Sequence, residues 1–174
     1  MLNTLRTVVR FWLSRLERCT GRSLLPARVE AITNYHRIDD RLATGGQPNV
    51  AQIDAIAKAG YRTVINLAPS SSPNALPDEQ ALIEAAGMAY IHIPVVWADP
   101  TQADFDRFCT VMAEHSGERV FVHCAANMRV SAFIYRYRRD VLREVDAIAR
   151  ADLHRLWQPT GVWAEFIALR GSSQ

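Results

Sequence analysis

Apolar residues along this chain alternate between short continuous runs and helically spaced stripes, and turn residues mark where each begins and ends. Asn49 and Gln52 stand as a cap ahead of a helix running to about Ala59, Gly60 stops it, and Thr63-Val64-Ile65-Asn66-Leu67 follows as a buried strand. After a loop from Ser70 to Pro77, the stretch from Asp78 to Ala86 predicts a helix with Leu82, Ile83 and Ala86 on its inner side. Gly87 ends that helix, and Met88 to Ile93 supplies the next strand. Thr101 and Asp104 read as a capping box opening a helix from Gln102 to His115, and Arg119 to Val122 is a further short buried strand. From Val130 onward, Phe133, Ile134 and Tyr137 recur at helical spacing. Val145, Ile148, Ala149, Leu153 and Leu156 suggest another helix packed on the sheet, broken at Trp157-Gln158-Pro159, and Val162 to Leu169 a last short one.

Strand and helix therefore alternate, which predicts an α/β fold: a mostly parallel central sheet flanked by helices on both faces, with right-handed connections. Ligands in such sheets bind beyond the carboxyl ends of the strands, where Asp99 and Cys124 both project.

The first thirty residues follow a different pattern. Leu2, Leu5, Val8, Val9, Trp12, Leu13 and Leu16 form one stripe of an amphipathic helix, with Arg6, Arg10, Arg15 and Arg18 lining the rest. Arg6 and Arg10 interrupt any run long enough for a signal-peptide core or a membrane span. The stripe is expected to dock on its own domain, on a second copy of the chain or on an anionic lipid surface. The organisation read from the pattern is a helical extension over 1–30, one domain over 31–170 and a frayed tail over 171–174.

Composition narrows the function. With 174 residues and 49% hydrophobic content the chain can bury one core, and a net charge of +2 is too small to argue for nucleic acid. Three cysteines, Cys19, Cys109 and Cys124, make a disulfide framework improbable, and no metal-ligand spacing joins them to the histidines.

The chemistry concentrates in Phe121-Val122-His123-Cys124-Ala125-Ala126-Asn127-Met128-Arg129-Val130-Ser131, where a strand delivers a thiol into a short loop that empties into a helix amino terminus. Unpaired N–H groups there favour negative charge and lower a thiol pKa from about 8.5 to roughly 3.5–7.5, which makes the nucleophilic thiolate abundant at neutral pH. Arg129 adds a permanent charge and a planar fork suited to phosphate or sulfate. Asn127 tolerates the left-handed backbone that such a loop needs. His123 is read as tuning the thiolate and ordering the loop. Ser131 is read either as helping the thiolate leave or as a plain helix-start hydroxyl.

This loop resembles the signature of cysteine-dependent tyrosine and dual-specificity phosphatases, in which His-Cys is followed by five residues and Arg. Four residues, Ala125 to Met128, separate Cys124 from Arg129 here, Asn127 stands where glycine is usual, and Val130 replaces the usual hydroxyl residue. The four-residue spacing is closer to rhodanese-type sulfurtransferases. Tyr90-Ile91-His92-Ile93-Pro94-Val95 with Trp97-Ala98-Asp99-Pro100 looks like a phosphatase strand and general-acid loop, and Tyr35 to Ile38 with Leu42 to Pro48 resembles small bacterial phosphatase-like proteins carrying a Gly-Gln-Pro element. The resemblance spans roughly residues 34–168.

It implies Cys124 as nucleophile, Arg129 as phosphate ligand, Asp99 as general acid, and His123, Ala125, Ala126, Asn127, Met128, Val130 and Ser131 as the phosphate-binding loop. The implied substrate is a phosphorylated protein or small phosphoester, no metal or organic cofactor is required, and the implied setting is cytoplasmic, with a membrane-peripheral position open to residues 1–30. Two other readings stay open: a sulfurtransferase carrying a Cys124 persulfide, and a catalytically weak phosphate or phosphoprotein binder. Trp97 is expected to pin the acid loop, and Arg136-Tyr137-Arg138-Arg139 to present a solvated basic helix face.

Overall fold

The computed structural model describes residues 7–9, 11–13, 15, 16, 20 and 25–170. A single 3-10 turn, Val29–Ala31, leads into strands β1 (His36–Arg37) and β2 (Leu42–Gly45). Then come α1 (Val50–Lys58), β3 (Thr63–Asn66), α2 (Glu79–Ala85), β4 (Ala89–His92), α3 (Gln102–Glu114), β5 (Val120–His123) and α4 (Met128–Arg136). A π-helical segment, Tyr137–Val141, continues α4, and α5 (Asp146–Leu156) and α6 (Val162–Ala168) complete the domain.

The sheet runs β1-β2-β5-β3-β4, with only the edge strand β1 antiparallel. The expected α/β class and mostly parallel sheet are therefore present. Strands β2, β3 and β5 are buried at every position, as strands covered on both faces must be. Alternation along β5 divides the core: Val120, Val122 and Cys124 join one cluster, whereas Phe121 joins the other. On the first face Phe133 of α4 lies 4.8 Å from the Phe166 ring and 5.6 Å from Phe108, binding α3, α4 and α6 together. On the second face Ile53 and Ile56 of α1 and Ile83 of α2 pack over Val64 and Phe121.

The local stops and starts follow the chain's own chemistry. Asn49 and Gln52 form a reciprocal capping box for α1, and Thr101 and Asp104 another for α3. Gly60 and Gly87 take positive φ where α1 and α2 end.

Three expectations need correction. Strands β1 and β2 were hidden in the Tyr35–Pro48 segment, whose four-residue buried run is too short to declare itself by period. Val145 and Ile148 are exposed, and α5 buries only Ala149 and Leu153. The basic cluster is not solvated: Arg136, Arg138 and Arg139 are all buried. The Arg136 guanidinium sits over the Phe105 and Phe166 rings at 3.9 and 4.5 Å and donates to Gln102 Oε1. Arg138 forks onto Glu144 at 2.6 and 2.7 Å and reaches Asp152, while Arg139 pairs with Asp140 and donates to the Ile167 carbonyl. Charges taken out of water must be paired, and here the partners arrive from the π-helical turn, α5 and α6.

Residues 7–9, 11–13, 15, 16 and 20 are helical. Of the stripe, Val8, Val9, Trp12 and Leu16 are each about half exposed to solvent, and Leu13 is half-buried. The remaining stripe residues Leu2 and Leu5, the arginines at 6, 10 and 18, Cys19 and the tail 171–174 lie outside the described residues.

Candidate active site

Cys124 follows the last residue of β5, a strand hydrogen-bonded on both sides, and is only 1% exposed. Its N–H donates to the Gly45 carbonyl at 3.3 Å. Gly45 itself is packed tightly: a Cβ there would fall 2.8 Å from Ile32 and 2.9 Å from Phe121.

Three of the four residues after Cys124 are tied to distant segments. The Ala125 carbonyl accepts from Asn74 Nδ2 at 2.9 Å and from the Gln47 N–H at 3.3 Å, and the Ala126 carbonyl accepts from Asn34 Nδ2 at 2.9 Å. Asn127 is fully buried in the left-handed region at φ 66°, as its residue type predicts. Its amide donates to the Asn34 carbonyl at 2.7 Å and to Thr44 Oγ1 at 2.9 Å. The reason for asparagine rather than glycine is thus twofold: it tolerates the backbone and bolts the loop to β2.

Helix α4 begins at Met128, two residues ahead of expectation, so Arg129 stands in its first turn. Arg129 is 9% exposed, and its guanidinium carbon lies 5.3 Å from the centre of the Trp97 ring. Val130 is buried in the core, whereas Ala125, Ala126 and Met128 are half-buried at the surface of the loop. The Ser131 hydroxyl donates to the Met128 carbonyl and accepts from Trp157 Nε1 at 3.0 Å.

Trp97 joins the candidate acid loop to the loop of Cys124. Its ring centre is 5.1 Å from Trp163 and 5.6 Å from Trp157, and its carbonyl accepts from Trp163 Nε1 at 2.9 Å. The expected pinning is present. Asp99, two residues on, is exposed, and its N–H is turned back onto Val96. Among the described residues no hydrogen bond joins Asp99 to Cys124 or Arg129.

The residue that sequence reasoning missed is Glu79, the first residue of α2. It is 6% exposed and lies with Oε1 3.5 Å from His123 Nε2. Gln47 Nε2 also donates to Glu79, and Asn66 Nδ2 and the Tyr90 hydroxyl donate to Oε2 at 2.7 and 3.0 Å. This carboxylate also lines a cleft of about 530 Å³ with Asn66, Tyr90 and His92. The only available signal was the Gly-Gln-Pro element, whose Gln47 turns out to serve Glu79. Among the described residues no group of three or more histidine, cysteine or acidic side chains is placed to hold a metal.

Full burial pushes the His123 imidazole below its ordinary pKa, with the Glu79 carboxylate pulling the other way. A base depressed in the folded state stabilises above its unfolded pKa of about 6.5, and that contribution is lost as pH falls from there toward the folded value. Urea unfolding near neutrality and about one unit below 6.5 should therefore show wild type losing stability more steeply than His123→Asn, by up to about 1.4 kcal/mol per pH unit. Equal slopes would remove His123 from the account.

Residues 27–164 match the family described as DSP-PTPase phosphatase fused to NAD+ kinase. A DUF442-group phosphatase structure from Shewanella putrefaciens CN-32 is 34% identical, superposes with a TM-score of 0.73, and is matched over 80% of this chain and 92% of its own. TpbA of P. aeruginosa shares the fold at 17% identity, with a TM-score of 0.63 over 78% of this chain and 84% of its own. The beta-lactamase hydrolase-like protein of Xylella fastidiosa is 39% identical over 95 residues, covering 53% of this chain but 22% of that longer protein. A family match across most of the folded residues, joined to a His-Cys loop ending on Arg129 in the first turn of a helix, places this chain in the dual-specificity-type phosphatase family of that description.

Proposed function

We propose that the protein hydrolyses phosphate monoesters through a cysteinyl-phosphate on Cys124. The observation that carries this reading is the loop itself: although one residue shorter than usual, it is anchored by Asn34, Gln47, Asn74 and Thr44 and delivers Arg129 to the first turn of α4. Anchoring of this kind supplies the preorganisation on which phosphoryl transfer depends.

The Cys124 thiolate attacks phosphorus, the P–O bond to the leaving group breaks, and Asp99 gives its proton to the departing oxygen. Asp99, now a carboxylate, takes a proton from water as the water oxygen attacks phosphorus. The P–S bond breaks, free phosphate leaves, and the thiolate is restored. Arg129 holds the non-bridging oxygens throughout. Glu79 and His123 act behind the thiol, outside substrate contact.

TpbA has been captured with phosphotyrosine and PTPMT1 with PI(5)P, at 18% and 19% identity to this chain. The chemistry common to both is a phosphate monoester dianion, and we assign that substrate class here.

The test is hydrolysis of an aryl phosphate across pH by wild type and Asp99→Asn, with thiosulfate-to-cyanide sulfur transfer run in parallel. Turnover reduced about a hundredfold by Asp99→Asn, with the basic limb of the pH profile flattened, is the expected result. Cys124-dependent sulfur transfer without phosphate release would reassign the protein to the sulfurtransferases, and silence in both assays would leave an anion-binding module.

A further inference from the structure

The amino-terminal helix presents its apolar face outward. Val8, Val9, Trp12 and Leu16 are 47%, 49%, 53% and 49% exposed. At about 100° per residue these four positions fall within an arc of roughly 100° on one side of the helix. The opposite side faces the domain: the Thr7 hydroxyl donates to Asn34 Oδ1 at 3.0 Å, and Phe11, on the same side, is half-buried. Four large apolar side chains in one arc are a costly surface to leave in water, and they are not turned inward although the helix is attached.

Charge identifies the occupant. Residues 1–28 carry six arginines, at 6, 10, 15, 18, 22 and 28, against a single acid, Glu17, for a net +5. Since the whole chain is +2, residues 29–174 are −3, and the positive charge is concentrated in the segment that carries the apolar arc. Arg15 flanks that arc, with its guanidinium carbon 5.1 Å from the centre of the Trp12 ring. An apolar face edged by arginine, with tryptophan at its centre, matches the boundary between acyl chains and anionic headgroups. A second copy would bring +5 against +5.

We propose that the amino-terminal helix seats the protein on an anionic bilayer surface, Val8, Val9, Trp12 and Leu16 entering the interface and Arg15 pairing with lipid phosphate. Attachment through Asn34 gives the docking a geometric consequence. Asn34 is the residue that also holds the Ala126 carbonyl and receives the Asn127 amide, so the helix is one side chain away from the Cys124 loop. The docking does not depend on the phosphatase reading, and neither does its test.

Flotation of the full chain with phosphatidylcholine vesicles, with and without about a third phosphatidylglycerol, decides the matter. The expected result is flotation with the anionic vesicles only, weakened by high salt. Trp12→Glu should lower partitioning by on the order of a hundredfold and Arg15→Glu by about tenfold, with circular dichroism and unfolding midpoint unchanged. Absence of flotation with either vesicle overturns the proposal. So does flotation that is indifferent to lipid charge and to Arg15→Glu. A dimer in light scattering that Trp12→Glu dissociates, without vesicle binding, would make the face a self-interface and overturn it as well.

Discussion

Cys124→Ser should reduce aryl phosphate hydrolysis by at least three powers of ten, about 4 kcal/mol on the barrier, while leaving affinity for inorganic phosphate near the parental value. The two halves of this prediction come from different parts of the site. Turnover needs the sulfur as attacking atom and as leaving group, and a serine hydroxyl is a poor substitute in both roles at neutral pH. Affinity needs the loop and Arg129, and neither depends on the sulfur for its position. Backbone carbonyls at Ala125 and Ala126 are held by Asn74 and Asn34, and Asn127 is held by its own amide. Stopped assays with the purified variant measure turnover, and the rise in unfolding midpoint with added phosphate measures affinity. Serine at 124 with undiminished hydrolysis would exclude a cysteinyl-phosphate.

Arg129→Ala should lose both properties together, with turnover down about a thousandfold and the phosphate-induced rise in unfolding midpoint abolished. The guanidinium is the one cation in the loop, it is almost fully buried, and its face is covered by Trp97. Arg129→Lys should recover only a small part of the loss, because an ammonium cannot present two parallel N–H groups to a phosphate or stack on the indole. The variant must be shown to fold, since removing Arg129 also uncovers Trp97. An unchanged near-ultraviolet spectrum, to which the Trp97, Trp157 and Trp163 cluster contributes, provides that control. Retention of phosphate binding by Arg129→Ala would place the anion elsewhere.

Glu79 links these effects to the second face of the sheet. Its carboxylate gathers Gln47, Asn66 and Tyr90 and approaches the His123 ring, so a contact made at the start of α2 bears on the residue before the thiol. Tyr90 is held above the ordinary phenol range by burial and by the Glu79 charge, which keeps it a donor to Glu79.

Short-range signals were legible in the chain. The capping boxes at Asn49 and Thr101 and the stops at Gly60 and Gly87 act within four residues, so their physics is written in adjacent letters. The stretch from His123 to Arg129 is likewise local, and the left-handed role of Asn127 followed from residue type alone. Tertiary structure decided what those letters connect to. Asn34 meets Ala126 across 92 positions and Asn74 meets Ala125 across 51, separations at which no periodicity or spacing carries information. Burial decided the arginines: Arg136, Arg138 and Arg139 look like a solvated face until the π-helical turn, the loop after it and α5 bring Asp140, Glu144 and Asp152 against them. The sequence by itself thus determined the elements from α1 onward, the mostly parallel sheet and the thiol beside an arginine. Only the fold determined which side chains hold the short loop in shape, and which face of the amino-terminal helix is left exposed.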